Sequence, residues 1–283
     1  MTQKIPVLGA HMSIAKGFLE AAHEAVEELG ANALQLFLKS PRGRGITKLT
    51  PQVAADYISY VDSIGPFFSV AHASYLLNFA KPLGHDPWPL TSLVADLRSM
   101  EMLKGDGVVL HVGKTLELPY EVAEDHLVEN LKRVLDETSD LSQPILLENT
   151  AGQGTEMGTT FEQLQSLYER LDKHPRLKFC LDTCHLFAAG YDLRTKDDVE
   201  SILQKFDQLI GLDKVALFHF NDSLKDLNSR VDRHQNLEMG FIGSGGLKAL
   251  AQFGVKHSIP MILETPLKTR THLDDLTILR SWI

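Results

Sequence analysis

Short apolar runs alternate with segments of helical periodicity along most of the chain. The runs are typical of buried strands, and the segments between them at residues 15–29, 51–64, 121–138, 160–171 and 196–210 are amphipathic. Thr50 followed by Pro51 is typical of a helix start, with an N-cap and a proline in the first turn. The predicted strands cover residues 6–10, 33–38, 67–71, 107–110, 145–147, 178–181, 215–218 and 260–263.

Eight alternating strands and helices predict an α/β fold with a parallel sheet. Eight such units in 283 residues fit a closed (β/α)8 TIM barrel. A doubly wound open sheet is the alternative that the same pattern allows. No linker, low-complexity tract or long charge run divides the chain, so residues 1–283 are predicted to form a single domain.

Seven of the eight predicted strands are followed directly by a histidine or a carboxylate. The active site of a β/α barrel is built at the C-terminal ends of its strands, so these side chains are expected to converge. Buried carboxylates repel one another unless positive charge lies among them, and the pattern therefore predicts a metal site. The residues are His11, His72, His111, Glu148, Asp182, His219 and Glu264.

The candidate ligands mix imidazole nitrogen with carboxylate oxygen, which favours zinc, manganese or iron over calcium or magnesium. Six of them, from His72 to Glu264, are too many for one tetrahedral zinc and predict at least two ions. Glu148, in the middle of the set, is suited to bridging a pair. His185, Asp232 and His234 would supply a third ion, although Asp232 and His234 alone are also compatible with a solvated polar loop.

Composition limits the cellular setting. No apolar run approaches the ~20 residues that span a bilayer, and the first residues show no secretory leader, so we expect a cytoplasmic protein with no membrane partner. Cys180 and Cys184 do not suggest a disulfide framework. The net charge of −9 argues against a nucleic-acid partner, but three divalent ions would add six positive charges and leave −3.

Basic and aromatic residues cluster in the loops that follow the predicted strands. Arginine and lysine are suited to phosphate contacts, and arginine, tyrosine and leucine can fill or wedge a base stack. Beside a multi-metal site, these loops favour a nucleic-acid phosphodiester as the substrate. The residues are Lys39 and Arg42 after the second strand, Tyr75 and Leu76 after the third, and Lys225, Arg230 and Arg233 after the seventh.

Several longer motifs resemble the endonuclease IV family of apurinic/apyrimidinic (AP) endonucleases. They are GAHMS at residues 9–13, HASY at 72–75, LENTAGQG at 147–154, LDTCHLFAAGYD at 181–192, HFND at 219–222, DRH at 232–234 and LET at 263–265. The glutamate-centred and aspartate-centred motifs are long and specific. Together the motifs span nearly the whole chain.

The resemblance implies a trinuclear zinc enzyme of base excision repair, with manganese possible at one or more sites. It would hydrolyse duplex DNA 5′ to abasic sites, leaving 3′-hydroxyl and 5′-deoxyribose phosphate ends, and would also act at blocked 3′ ends. Glu148 and Glu264 are the implied catalytic carboxylates, and Arg42, Tyr75, Leu76 and Arg233 the implied DNA contacts. The implied ligands are His72, His111 and Glu148 for one ion; Glu148, Asp182, His219 and Glu264 for a second; and His185, Asp232 and His234 for the third.

Two other functions stay open, and some positions of the chain depart from the pattern of the endonuclease IV family. A sugar isomerase or epimerase of the xylose-isomerase-like barrels would use one or two ions, and a lesion-binding protein with structural zinc would bind DNA without cutting it. We expect a monomer, because no long exposed apolar stripe is evident. The departures, which remove no ligand, are Ala73, Val112, Lys114, Glu238 and Met239.

Overall fold

The computed structural model describes residues 5–46 and 49–283. Within them, eight parallel strands close into a barrel in the order β1-β10-β7-β6-β5-β4-β3-β2. The predicted TIM barrel is therefore confirmed, and the open sheet is excluded because β1 pairs with both β2 and β10. The start of the chain, on which part of the leader prediction rests, lies outside the described residues.

Each barrel strand begins and ends within a few residues of the corresponding ends of its predicted run. In β3 to β7 the predicted strand stops one residue early, because the polar residue that ends each apolar run still belongs to the strand. A two-stranded hairpin, β8 with β9, lies in the loop after β7. The strands are β1 Leu8–Met12, β2 Ala33–Phe37, β3 Phe68–His72, β4 Val108–His111, β5 Ile145–Glu148, β6 Leu177–Asp182, β7 Val215–His219, β8 Asp222–Ser223, β9 His234–Gln235 and β10 Met261–Leu263.

The five predicted helices are present, and the second agrees at both ends. The first begins later than predicted, at Phe18, and continues as a π-helical turn over Glu24–Glu28. Four further helices, α3, α6, α8 and α9, were not assigned from the pattern. The helices are α1 Phe18–His23, α2 Pro51–Ile64, α3 Trp88–Met102, α4 Tyr120–Glu137, α5 Phe161–Arg170, α6 Thr183–Ala189, α7 Lys196–Leu209, α8 Ser244–His257 and α9 His272–Ser281.

The inside of the barrel is filled by a layer of small and branched apolar side chains. Successive side chains of a strand alternate between the interior and the helices, so a residue two positions later faces the interior again. In β1 the layer has Gly9, where an added Cβ would lie 2.0 Å from the carbonyl oxygen of Ala33. The other members of the layer are Ala33, Val70, Val109, Leu146, Cys180, Leu217 and Ile262.

The loop after the β8–β9 hairpin is held by one buried carboxylate. Asp222 accepts hydrogen bonds from the backbone N–H groups of Ser223 (2.8 Å), Gly240 (3.0 Å) and Ile242 (2.9 Å). Ile242 lies two residues before the start of α8, where a helix N-terminus also favours negative charge. Asp222 therefore fixes the path of the chain between His234 and α8.

Replacing Asp222 with alanine is expected to lower the free energy of unfolding by about 2–4 kcal/mol, because several buried N–H groups lose their acceptor. Urea denaturation measures the difference. Asp226→Ala, an exposed position between β8 and β9, is the control and should change the value by about 0.5 kcal/mol or less. Equal midpoints for the Asp222 variant and the parent would contradict this role.

Among the described residues, no helix combines the length and apolar character that crossing a membrane requires. The predicted cytoplasmic location stays a prediction.

Candidate metal centre

The candidate site is the layer directly above the apolar interior. Each strand contributes the residue two positions after its member of that layer, so strand periodicity alone brings these side chains together. Seven of the eight are the residues that the sequence analysis singled out. The eighth, from β2, is Gln35. In strand order along the chain the layer consists of His11, Gln35, His72, His111, Glu148, Asp182, His219 and Glu264.

The first predicted ligand group is assembled at the ends of β3, β4 and β5. His72 Nε2 and His111 Nε2 each lie 3.1 Å from Glu148 Oε2. Glu148 is fully buried, and the three ligand atoms lie within 4.8 Å of one another. The geometry thus brings His72, His111 and Glu148 together.

The second group uses the other oxygen of Glu148. His219 Nδ1 lies 2.8 Å from Glu148 Oε1, 3.3 Å from Glu264 Oε2 and 3.9 Å from Asp182 Oδ2. Asp182 Oδ2 also accepts a hydrogen bond of 2.8 Å from the side chain of Asn221. Glu148 therefore lies between two groups of ligands, which is the arrangement that a bridging carboxylate needs.

The third group lies at the mouth of the barrel, where α6 meets the hairpin. His185 Nε2 and His234 Nε2 lie 3.3 Å and 3.4 Å from Asp232 Oδ1. Asp232 is about one-third exposed, whereas His185 is buried. Both Nε2 atoms are buried, and within the described part of the chain neither has a hydrogen-bond partner. Two buried ring nitrogens that face one carboxylate without a hydrogen bond indicate a cation site.

The spacing of these atoms fits divalent zinc. Two ligands of one tetrahedral zinc, at the usual metal–ligand distances, are about 3.3 Å apart. The pairs His219–Glu264, His185–Asp232 and His234–Asp232 lie at 3.3–3.4 Å. Because each pair already has the spacing of bound ligands, zinc ions would require only small side-chain movements.

The second nitrogen of several imidazoles is fixed by the surrounding chain. His72 Nδ1 donates to the backbone oxygen of Ala73 (2.7 Å), His185 Nδ1 to that of Asn149 (3.0 Å), and His234 Nδ1 to that of Glu264 (3.3 Å). Metal-binding histidines are usually oriented in this way, with the remaining nitrogen left for the metal. The acceptor for His72 is the backbone oxygen of Ala73. The departure from the family pattern at Ala73 concerns its side chain and therefore does not affect this bond.

The electrostatics of the site favour positive charge. Burial alone would raise the pKa of Glu148, but the facing imidazoles of His219 and His111 lower this pKa well below its usual value. Burial would likewise lower the pKa of His185, yet Asp182 and Asp232 raise it well above its usual value. Asp182 and Asp232 therefore outweigh the cost of burying a positive charge at His185.

Cysteine sulfur also lies near the ligands. Cys180 Sγ lies within 4.8 Å of the ligand atoms of Glu148 and His219, and Cys184 Sγ within 4.8 Å of those of Asp182 and His234. Burial raises the pKa of each thiol to about 12. In the metal-free protein the thiols are therefore neutral near pH 7.

The candidate DNA contacts surround this centre. Tyr75 and Leu76 are 48% and 46% exposed, and the Tyr75 ring packs beside the rings of His72 and His111 at centroid distances of 5.3 Å and 5.5 Å. Arg42 and Arg233 are exposed. The loop prediction was wrong for Lys39, which forms a buried ion pair with Asp96 and so does not face solvent.

The other departures from the family pattern lie in the surrounding loops. Val112 is buried and packs close to Gly158, and Lys114 lies 3.3 Å from Glu156. Glu238 has a left-handed backbone with φ of 66°, and Met239 is 40% exposed. None of these side chains belongs to the ligand groups found among the described residues.

The barrel and its metal-binding layer define the class to which the protein belongs. The family model of the xylose isomerase-like TIM barrels matches residues 23–282. A D-tagatose 3-epimerase-like protein has the same fold, with a TM-score of 0.69, 18% identity and coverage of 97% of this chain and 96% of that one. At that identity the likeness shows the fold alone.

More similar proteins place the chain within that class. A probable endonuclease 4 of Halothermothrix orenii is 36% identical over 261 residues, which cover 92% of this chain and 93% of the relative. The crystal structure of endonuclease IV from Thermus thermophilus superposes with a TM-score of 0.87 at 35% identity and covers 98% of both chains. The chain therefore belongs to the endonuclease IV family, and the predicted resemblance and enzyme class are confirmed.

Proposed function

We propose that the protein is a zinc-dependent DNA-repair endonuclease that hydrolyses duplex DNA 5′ to abasic sites. The products would carry 3′-hydroxyl and 5′-deoxyribose phosphate ends. The observation that carries the proposal is the convergence of nine ligand-type residues in three groups, with Glu148 between two of them. A site for one or two ions, as expected of a sugar isomerase, leaves His185, Asp232 and His234 without a role.

The residues would accommodate three ions. These would be zinc ions, and manganese suits the same donors. His72, His111 and Glu148 would hold one ion, and Glu148, Asp182, His219 and Glu264 a second. His185, Asp232 and His234 would hold the third, at the more open position beside solvent. When bound, divalent zinc supplies Lewis acidity and lowers the pKa of water from 15.7 towards about 7.

Two of the carboxylates, Glu148 and Glu264, would bind metal ions and would also orient neighbouring ligand groups relative to one another. Glu148 presents one oxygen to each of two ligand groups. Glu264 lies between His219 and His234, at 3.3 Å and 4.0 Å from their Nδ1 atoms, and so faces the second and third groups together. We therefore assign Glu148 and Glu264 as the catalytic carboxylates.

Recognition of the lesion would use the loops around the centre. Tyr75 and Leu76 are large, apolar and half exposed next to the ligands, so they are placed to fill the gap left by a missing base. Arg42 and Arg233, on the loops after β2 and β7, would contact phosphates. An abasic nucleotide is easily extruded because little stacking has to be broken.

We further propose that the whole chain acts as one barrel domain and as a monomer.

The test of function is strand incision of a duplex with one abasic analogue that cannot undergo β-elimination. We expect one cut, 5′ to the analogue, with a 3′ end that a polymerase extends. An undamaged duplex of the same sequence is the control. Lesion-specific binding without incision by metal-loaded protein would contradict the proposal, as would turnover of a ketose without incision.

A further inference from the structure

In the layer of polar side chains above the apolar interior, the residue that is not of metal-ligand type is Gln35. It lies in the middle of β2, is fully buried and faces the interior two residues after Ala33. Its neighbours in register are His11 on β1 and Val70 on β3. A buried amide in a barrel interior is costly unless its hydrogen bonds are made, so its partners indicate why it is there.

The Gln35 amide bonds to three members of the layer. Its Nε2 donates to Glu264 Oε1 (2.6 Å) and lies 2.9 Å from His11 Nδ1. Its Oε1 lies 2.7 Å from His219 Nε2. One side chain thus connects two residues of the second ligand group, Glu264 and His219.

Chemistry fixes the orientation of this amide. An ionised carboxylate only accepts hydrogen bonds, so the Gln35 atom that faces Glu264 is the NH2 group. The atom that faces His219 is then the carbonyl oxygen, which only accepts, and His219 Nε2 must carry a proton. The lone pair for a metal is consequently on His219 Nδ1, the nitrogen that faces Glu148, Glu264 and Asp182.

His219 also differs from His72, His185 and His234 in the hydrogen-bond partner of its second ring nitrogen. The second nitrogens of His72, His185 and His234 bond to backbone oxygens, whereas that of His219 bonds to a side chain. A substitution can therefore remove the partner of His219 without altering the backbone. The same substitution removes the hydrogen bond to Glu264 Oε1, so His219 and Glu264 lose an orienting partner together.

We infer that Gln35 is a positioning residue for the second metal ion, acting through the tautomer of His219 and the orientation of Glu264. The inference rests on the proposed function, since that proposal assigns these residues as ligands. Loss of such a partner typically weakens metal binding about tenfold to a hundredfold. The first and third ions, whose ligands His72, His185 and His234 have backbone partners, should bind as before.

The test compares Gln35→Met, which keeps the length of the side chain and removes its hydrogen bonds, with the parent protein. Zinc affinity is measured for each ion by competition with a chromophoric chelator, without DNA. We expect one of the three affinities to fall about tenfold to a hundredfold and the other two to stay unchanged. The visible spectrum of the cobalt-substituted protein should change for that same ion.

Gln143→Met is the matched control, because Gln143 is also buried but precedes β5 at the opposite end of the barrel. Gln35→Glu is a second variant, with which the inference can still be tested if Gln35→Met does not fold. It keeps an acceptor for His219 but places a second carboxyl group beside Glu264, so its zinc affinity should change at the same one ion and at neither of the others. Unchanged affinities, or equal losses at all three ions, would overturn the inference. Because the readout is metal binding, a protein that binds three zinc ions normally but does not cut DNA contradicts the proposed function instead.

Discussion

Glu148→Gln should reduce the rate of abasic-site incision by about a thousandfold or more, because a metal ion contributes several kcal/mol to a hydrolytic transition state. Glu148 Oε2 faces His72 and His111, and Oε1 faces His219. An amide has only one oxygen, and its NH2 group does not bind cations. The substitution therefore removes a ligand from at least one of the two groups.

The zinc content of the Glu148→Gln variant should fall below that of the parent, measured by mass spectrometry of the metal in purified protein. Glu200→Gln makes the same chemical change on the exposed face of α7 and should leave zinc content and incision unchanged. Full zinc content together with parental activity in Glu148→Gln would show that Glu148 does not bridge the two groups.

Replacing both Tyr75 and Leu76 with alanine should reduce kcat/KM for an abasic duplex by about a hundredfold, since contacts of this kind are worth about 1–3 kcal/mol each. The two side chains are half exposed beside the centre, where they would fill the space that the missing base leaves. The alanines remove the wedge but none of the predicted ligands. Zinc content should therefore stay at the parental level.

Leu273→Ala is the control for this double variant, because Leu273 is also about half exposed but lies on α9, on the outside of the barrel. Incision is compared on duplex DNA and on a single strand with the same abasic analogue. The loss should be larger on the duplex, where stacking must be replaced. An equal loss on both substrates would indicate that Tyr75 and Leu76 support the centre and do not recognise the lesion.

The sequence was sufficient to predict the barrel and the convergence of nine ligand-type side chains, and the strand periodicity explains why. In β3 to β7 a polar residue ends an apolar run, and it also points into the barrel because it is two residues beyond the interior layer. Strand ends and ligand positions therefore coincide. His185, Asp232 and His234 do not follow this rule and were found from their spacing and motifs.

Gln35 was missed because an amide is not a preferred metal ligand and because it lies inside an apolar strand, not at its end. The offset of two residues from the interior layer would have identified it, but that layer can be recognised only once the strands are in register. Lys39 was misassigned for a related reason. Its partner, Asp96, lies 57 residues away on α3, a helix that the pattern did not reveal.

The loop between His234 and α8 was also beyond local prediction. Its shape depends on Asp222, which bonds to backbone groups about 20 residues further along the chain, and no periodicity carries that information. The departures at Glu238 and Met239 lie in this loop, where the left-handed backbone of Glu238 takes a conformation that glycine adopts without strain.

The most direct test of the account is a zinc titration of incision. Protein stripped of metal by a chelator would be mixed with increasing zinc, and cleavage of a duplex with one abasic analogue would be followed at each step. We expect no incision by the stripped protein and a cut 5′ to the analogue that reaches its full rate only at three equivalents of zinc per chain. Incision that survives complete removal of metal, or that is complete at one equivalent, would contradict it.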